Sequence, residues 1–196
     1  EDGPAKVSWS NLAFRGTAWS SKIPAETIQP GERVAITGDD ISGRSCLARS
    51  IAGLMDVPEG LIQICGIEAA QAAASGAGKL VSYAGTRDVF HGTVRENIDL
   101  GRRGIGQHRV REVTGQVGLT ATIEQLGNGL QTSLQTGGYP LSQEQVLRLL
   151  IARALAVRPK LLVIDGLLDQ LDATVRESLW QHIAPENPDW TLLVFT

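Results

Sequence analysis

Cysteine is nearly missing. Cys46 and Cys65 are the two in 196 residues. Two thiols make no disulfide framework, so a reducing compartment is the default expectation. Cys46 is expected to pack inertly in the first helix. No apolar stretch approaches the roughly 20 residues of a membrane helix, and no signal peptide is legible. An excess of either charge is also lacking: 18 basic and 21 acidic residues leave a net charge of -3. That balance exerts no bulk pull on nucleic acid, and no nucleic-acid partner is expected. Neither an internal repeat nor a low-complexity segment occurs. The chain does have apolar content, 42% hydrophobic residues. That amount supports one sizeable α/β domain or two small ones. It begins at Glu1 without methionine and stops at Thr196 inside the apolar run DWTLLVFT. Both ends are expected to be cuts in a longer polypeptide.

Residues 38–54 (GDDISGRSCLARSIAGL) organise the rest. The apolar run 33–37 (RVAIT) before them reads as a buried strand, and 45–54 as a helix. Strand, glycine loop and helix form the setting of a phosphate-binding P-loop, G-x-x-x-x-G-K-[ST]. Gly38, Gly43 and Ser45 meet that pattern; Arg44 stands at the lysine, followed by Cys46. Asp39 and Asp40 then lead Ile41 and Ser42, where backbone N–H groups should wrap an anion. Two carboxylates there oppose a phosphate by roughly 1 to 4 kcal/mol per charge pair at about 4 Å. The backbone pattern suits a nucleotide and the side chains argue against one.

Along the chain, residues 6–14 read as a strand and 27–31 as a turn. A strand at 61–65, a loose Ala-rich helix at 69–77 and a buried strand at 80–83 follow. Thr93 is a candidate cap within 90–100. Residues 107–126 carry a helical pattern broken near 115–119. Residues 131–139 read as a polar loop, and Ser142 starts a strong helix running to about Ala156. Residues 161–165 (LLVID) form a continuous apolar strand, 174–183 a helix and 191–195 a last strand. Strands alternating with helices predict a largely parallel sheet. The β-rich pieces near 6–14 and 61–83 predict an added antiparallel layer.

The lone histidines His91 and His182 have no metal-ligand partners at useful spacing and read as surface residues. His108 lies among Arg102, Arg103, Arg109 and Arg111, which read as a solvated face.

The ordered blocks GDDISGRS, VFHGTVRENI, NGLQTSLQTGGYPLSQEQ and VLRLLIARALAVRPKLLVIDGLLDQLD resemble the nucleotide-binding domain of an ABC transporter of the exporter branch. The likeness covers nearly the whole chain and is most specific over 141–172. It implies the ABC form of the P-loop NTPase fold: a mostly parallel α/β sheet with helices on both faces, an antiparallel β layer and a helical subdomain. It places the α/β core and β layer in 1–84 and 157–196, and the helical subdomain with the signature helix in 85–156. It implies ATP and Mg²⁺ as ligands, the latter at Ser45 and Asp165. The implied partners are a transmembrane domain, expected in the same polypeptide, and a second nucleotide-binding domain.

The same comparison implies losses. Gly16 stands where an aromatic ring stacks on adenine, with Trp19 nearby as a possible substitute. Gly85 or Thr86 stands where the family has a glutamine that senses the γ-phosphate and the metal. The signature LSGGQ reads Leu141, Ser142, Gln143, Glu144, Gln145, which puts bulk and negative charge where backbone amides approach phosphate. Ser142 keeps a hydroxyl to donate. Gly166 occupies the catalytic glutamate position, so general-base catalysis is missing there. The switch histidine would fall beyond Thr196.

Arg44 reads either as a residual phosphate contact or as a solvated arginine at a helix start. Asp165 reads either as a Mg²⁺ ligand or as the cap of a neighbouring turn. Asp172 matches the D-loop aspartate and also reads as a helix N-cap. Three functions follow. One is a catalytically silent domain with a structural or regulatory role. Another is a slow Mg²⁺-dependent ATPase powering export. The third is an ABC-type factor outside transport, against which the exporter-like block at 90–98 counts.

Overall fold

The computed structural model describes residues 3–15, 20–38, 43–74, 80–85, 88–184 and 189–196. In chain order these form β1 (Val7–Arg15), β2 (Ser20–Ile23), β3 (Glu26–Ile28), β4 (Arg33–Ile36) and α1 (Arg44–Ile51). Then come β5 (Glu59–Ile64), β6 (Ile67–Glu68), α2 (Ala69–Ala74), β7 (Val81–Ala84), β8 (Gly92–Thr93) and α3 (Val94–Asp99). The rest are α4 (Gln107–Gln116), α5 (Thr120–Gln125), β9 (Ser133–Leu134), α6 (Gln143–Ala156), β10 (Leu161–Asp165), α7 (Ala173–Ile183) and β11 (Thr191–Phe195).

The chain divides into two units. The first comprises Glu1–Gly85, Pro159–Leu168 and Glu186–Thr196, the second Thr86–Arg158 and Asp169–Pro185. The helix α7 falls in the second unit, whereas the sequence reading places it with the core.

The first unit holds two sheets. A four-stranded sheet runs β4-β11-β10-β7 with every described pairing parallel. Every residue of β10 and β11 is buried, which is why both read as unbroken apolar runs rather than alternating ones. An antiparallel sheet runs β2-β1-β5-β6, with β3 also on β1. One cluster of buried residues joins these parts: Phe14 and Ile62 from the antiparallel sheet, Leu47 and Ile51 from α1, Val163 and Leu193 from the parallel sheet. Helix α1 is thereby fixed by its apolar stripe, and the glycine loop before it is anchored at its C-terminal end.

Two expectations change here. Residues 27–31 are not simply a turn. Thr27 and Ile28 belong to β3, where Ile28 pairs with Val7 and is buried. The strand at 81–84 lies in the parallel sheet, in register with β10, not in the antiparallel layer. Periodicity over four residues does not distinguish those two fates.

In the second unit, α3 and α4 both pack on α6. Helix α6 is buried on nearly every side, as an all-round apolar sequence requires. Thr93 caps α3 with a full capping box: its hydroxyl accepts from the Glu96 N–H, and the Glu96 carboxylate accepts from the Thr93 N–H at 2.7 Å. The Thr93 N–H and the Thr93 hydroxyl, both donating to it, hold the Glu96 carboxyl below the usual carboxylate range. The expected polar loop at 131–139 contains β9, which pairs with β8 because Leu134 needs burial. Arg109 is not part of a solvated face. It donates to the carbonyls of Leu155 and Ala156 at the end of α6 and pairs with Glu112 at 2.6 Å. Arg158 reaches the same glutamate at 3.3 Å. Burial pushes the Glu112 carboxyl upward, but the two guanidiniums prevail and hold it low.

Candidate functional site

Residues Asp39, Asp40, Ile41 and Ser42 lie outside the described residues, as do Gly16, Trp19 and Thr86. The described part of the loop is Gly38 and then Gly43, which takes the left-handed conformation (φ 82°) as the N-cap of α1. Arg44 heads α1. Its guanidinium folds back and donates to the Gly38 carbonyl at 2.8 Å, so it staples the loop's two ends and is half-buried. Cys46 is half-buried in α1 and Cys65 exposed.

Asp165 ends β10 and is buried. Oδ1 accepts from the Ser45 hydroxyl at 3.0 Å and Oδ2 from the Tyr83 hydroxyl at 2.9 Å. The parallel register brings Tyr83 near the aspartate. Tyr83 lies beside Val163, two residues before the aspartate, and α1 packs against β10 from the other side of the loop. Burial first, then the neighbouring Asp165, pushes the Tyr83 hydroxyl above the ordinary phenol range, while Arg49 opposes the shift. The hydrogen bond to Tyr83 in turn raises Arg49. Tyr83 therefore stays a neutral donor. Neither Tyr83 nor Arg49 stood out in the sequence. The available signal was a single hydroxyl-bearing ring closing an otherwise small and apolar strand end, LVSYA.

Gly85 is close to this hydroxyl. A Cβ built there would sit 2.2 Å from Tyr83 Oη and 2.3 Å from Cζ. No side chain fits at 85 while Tyr83 keeps this rotamer.

Gly166 follows Asp165 with φ 66°, and its N–H donates to the Phe195 carbonyl at 2.9 Å. A Cβ there would meet nothing within 4 Å. The obstacle to a side chain is the backbone: left-handed geometry costs an L residue roughly 1–2 kcal/mol. Gly166→Glu is therefore expected to lower stability by about that amount. It is also expected to leave phosphate release at background, because the new carboxylate hangs from a peptide turned away from the extended geometry. Urea denaturation and a phosphate-release assay check both.

In the second unit, Ser142 caps α6 through a capping box with Gln145. Gln145 N donates to Ser142 Oγ at 3.3 Å, Ser142 N to Gln145 Oε1 at 2.9 Å, and Gln145 Nε2 to Thr122 Oγ1 at 3.2 Å. Leu141 is half-buried, and Ser142 and Gln143 are exposed. Glu144 does not project its charge freely over the helix start. It pairs with Arg148 at 2.9 Å, and Arg148 also donates to the Val117 carbonyl. Asp172 caps α7 by accepting from Val175 N at 3.0 Å. His91, His108 and His182 are exposed. Among the described residues no group of three or more His, Cys, Asp or Glu is placed to hold a metal. No helix of the described residues is long and apolar enough to cross a membrane.

The comparisons add an independent finding. Residues 24–168 match the family described as ABC transporter. This chain belongs to the ABC transporter family. Its fold is that of an exporter-type nucleotide-binding domain. A bacterial Atm1-family ABC exporter solved with ATP bound superposes with a TM-score of 0.85 at 24% identity, over 100% of this chain and 34% of the other. The mitochondrial iron-sulfur clusters transporter ATM1 of Candida albicans is 30% identical over 80% of this chain and 21% of its own length. The multidrug efflux ATP-binding/permease protein Rv0194 of Mycobacterium tuberculosis is 26% identical over 87% of this chain and 14% of its own. The chain thus spans only 21% and 14% of the length of those two relatives.

The ABC family uses ATP with Mg²⁺. Mg²⁺ demands near-octahedral oxygen ligation at about 2.0–2.1 Å. Ser45 and Asp165 offer the right donor type. The arrangement around them fits Mg²⁺ poorly, because a phenol hydroxyl already donates to Asp165 Oδ2 and position 85 has no side chain to contribute.

Proposed function

We propose that this domain is a degenerate ATP-binding domain of an ABC exporter, one that binds nucleotide weakly or not at all. Its role is structural or regulatory within transporter assembly. The observation that carries this reading is Asp165 Oδ2, which accepts from the Tyr83 hydroxyl, next to a glycine held left-handed at 166. The domain would sit on the cytoplasmic face of a membrane transporter, against a transmembrane domain expected in the same polypeptide. A second nucleotide-binding domain would be its dimer partner. Its lesions touch the loop and the Asp165 strand on one side and the signature on the other, so it would impair both nucleotide sites of any pair it joins. That favours a domain kept for packing or for holding a partner.

A second reading, a slow Mg²⁺-dependent ATPase, is favoured by one feature: Ser45 and Asp165 remain within 3.0 Å of each other. Removing a general base lowers a rate by about 10²- to 10⁴-fold rather than abolishing it. Thermal unfolding separates the two readings. A ligand at a hundredfold excess over Kd stabilises by about 2.7 kcal/mol. The expected result is an unchanged melting temperature with millimolar ATP and Mg²⁺. A rise of several degrees would overturn weak binding, and phosphate release above background beside it would establish the ATPase reading.

A further inference from the structure

We infer that Tyr83 is an internal lock on the metal position: its hydroxyl takes the Asp165 oxygen that a divalent cation would need, and it does so because Gly85 leaves the space. This inference rests on the degenerate-site reading and assigns it to one residue pair. Three observations support it. The Tyr83 hydroxyl donates to Asp165 Oδ2 at 2.9 Å while Ser45 holds Oδ1 at 3.0 Å, so each oxygen already has a partner within the chain. A side chain at 85 would start 2.2 Å from Tyr83 Oη, so a ligand from that position and the tyrosine exclude one another. Gly85 is also one of the two positions where the ABC resemblance expects a glutamine.

The lock has a specificity consequence. A cation that approaches Asp165 Oδ2 must compete with the Tyr83 hydrogen bond in a half-buried setting. A phosphate approaching the loop pays no such penalty. Whatever nucleotide this loop still takes should therefore be taken as readily without metal as with it. Tyr83 is a positioning residue for Asp165, and it makes the site blind to Mg²⁺.

The test is calorimetric titration of the full chain with ATP, once in Mg²⁺ and once in EDTA. The variants are Tyr83→Phe, which keeps the ring and removes the donor, and Tyr83→Val with Gly85→Gln, which also refills the vacated space. Far-UV circular dichroism confirms that each is folded. In wild type the ratio of affinities with and without Mg²⁺ is expected to be near one, or both are undetectable. At least one variant is expected to gain tenfold or more in the presence of Mg²⁺ only. If both folded variants show no Mg²⁺-dependent gain, the lock is wrong and the degenerate reading stands. Micromolar, strongly Mg²⁺-dependent binding by wild type would overturn both. Should Tyr83→Phe fold poorly, the second variant, which rebuilds the packing, carries the decision.

Discussion

Replacing Arg153 by alanine is expected to destabilise the second unit by about 3 kcal/mol, more than a surface substitution in this chain should. The side chain leaves α6 to donate to the Asn97 carbonyl at 2.6 Å, the Asp88 carbonyl at 2.8 Å and Asn97 Oδ1 at 3.1 Å. Its guanidinium also lies 5.9 Å from the centre of the Phe90 ring. Burial pushes its pKa down, yet it remains charged at any ordinary pH. Hydrogen bonds from a charged donor contribute about 1.5–3 kcal/mol each, and they do not add when they share one side chain. The alanine leaves carbonyls in the 88–97 segment without their donor, which accounts for most of the loss. Lysine should recover less than half of it, since one ammonium cannot reproduce a planar fork aimed at several acceptors. Hydrogen exchange of the 88–99 amides is the direct measurement. Unchanged protection in the alanine variant would show that the bracket does not hold the segment.

Phe195→Ala is expected to cost about 3–5 kcal/mol in the first unit, the usual range for an aromatic removed from a core. Phe195 is 1% exposed and belongs to the cluster shared with Leu47, Ile51 and Val163. It also stands opposite Asp165 in the β10–β11 register, and its carbonyl holds the Gly166 N–H. The loss should therefore be felt at the site as well as in the core. Equilibrium denaturation read by tryptophan fluorescence reports it, since Trp9 and Trp190 are buried in the same unit. A loss under about 1 kcal/mol would mean that the neighbours collapse into the cavity.

Much of the fold was legible because local chemistry dictated it. Asp172, Ser142 and Thr93 each head a helix, and each side chain caps it. The apolar run LLVID became a central strand, as continuous hydrophobicity predicts. Gly115 to Leu119 interrupts the helical pattern at the boundary between α4 and α5. What stayed hidden depended on partners distant in sequence. Tyr83 meets Asp165 only through strand register. Arg109 reads as one charge in a basic run until α6 offers it two carbonyls. Gly166 could be read as a lost carboxylate, but its left-handed backbone is not written in the residues around it. Short strands such as β3 and β9 exist because a partner edge and a buried Ile28 or Leu134 call for them, which four-residue windows cannot show.

The three arginines that reach out of α6's surroundings have a mechanical meaning. Arg148 grips the carbonyl end of α4 near Val117, Arg153 grips the 88–97 segment, and Arg109 grips the last turn of α6 from α4. Each is a short strut between helices whose backbones are already hydrogen-bonded along their length. Helix α6 is thus tied at both ends to its neighbours, like a spar held by its braces.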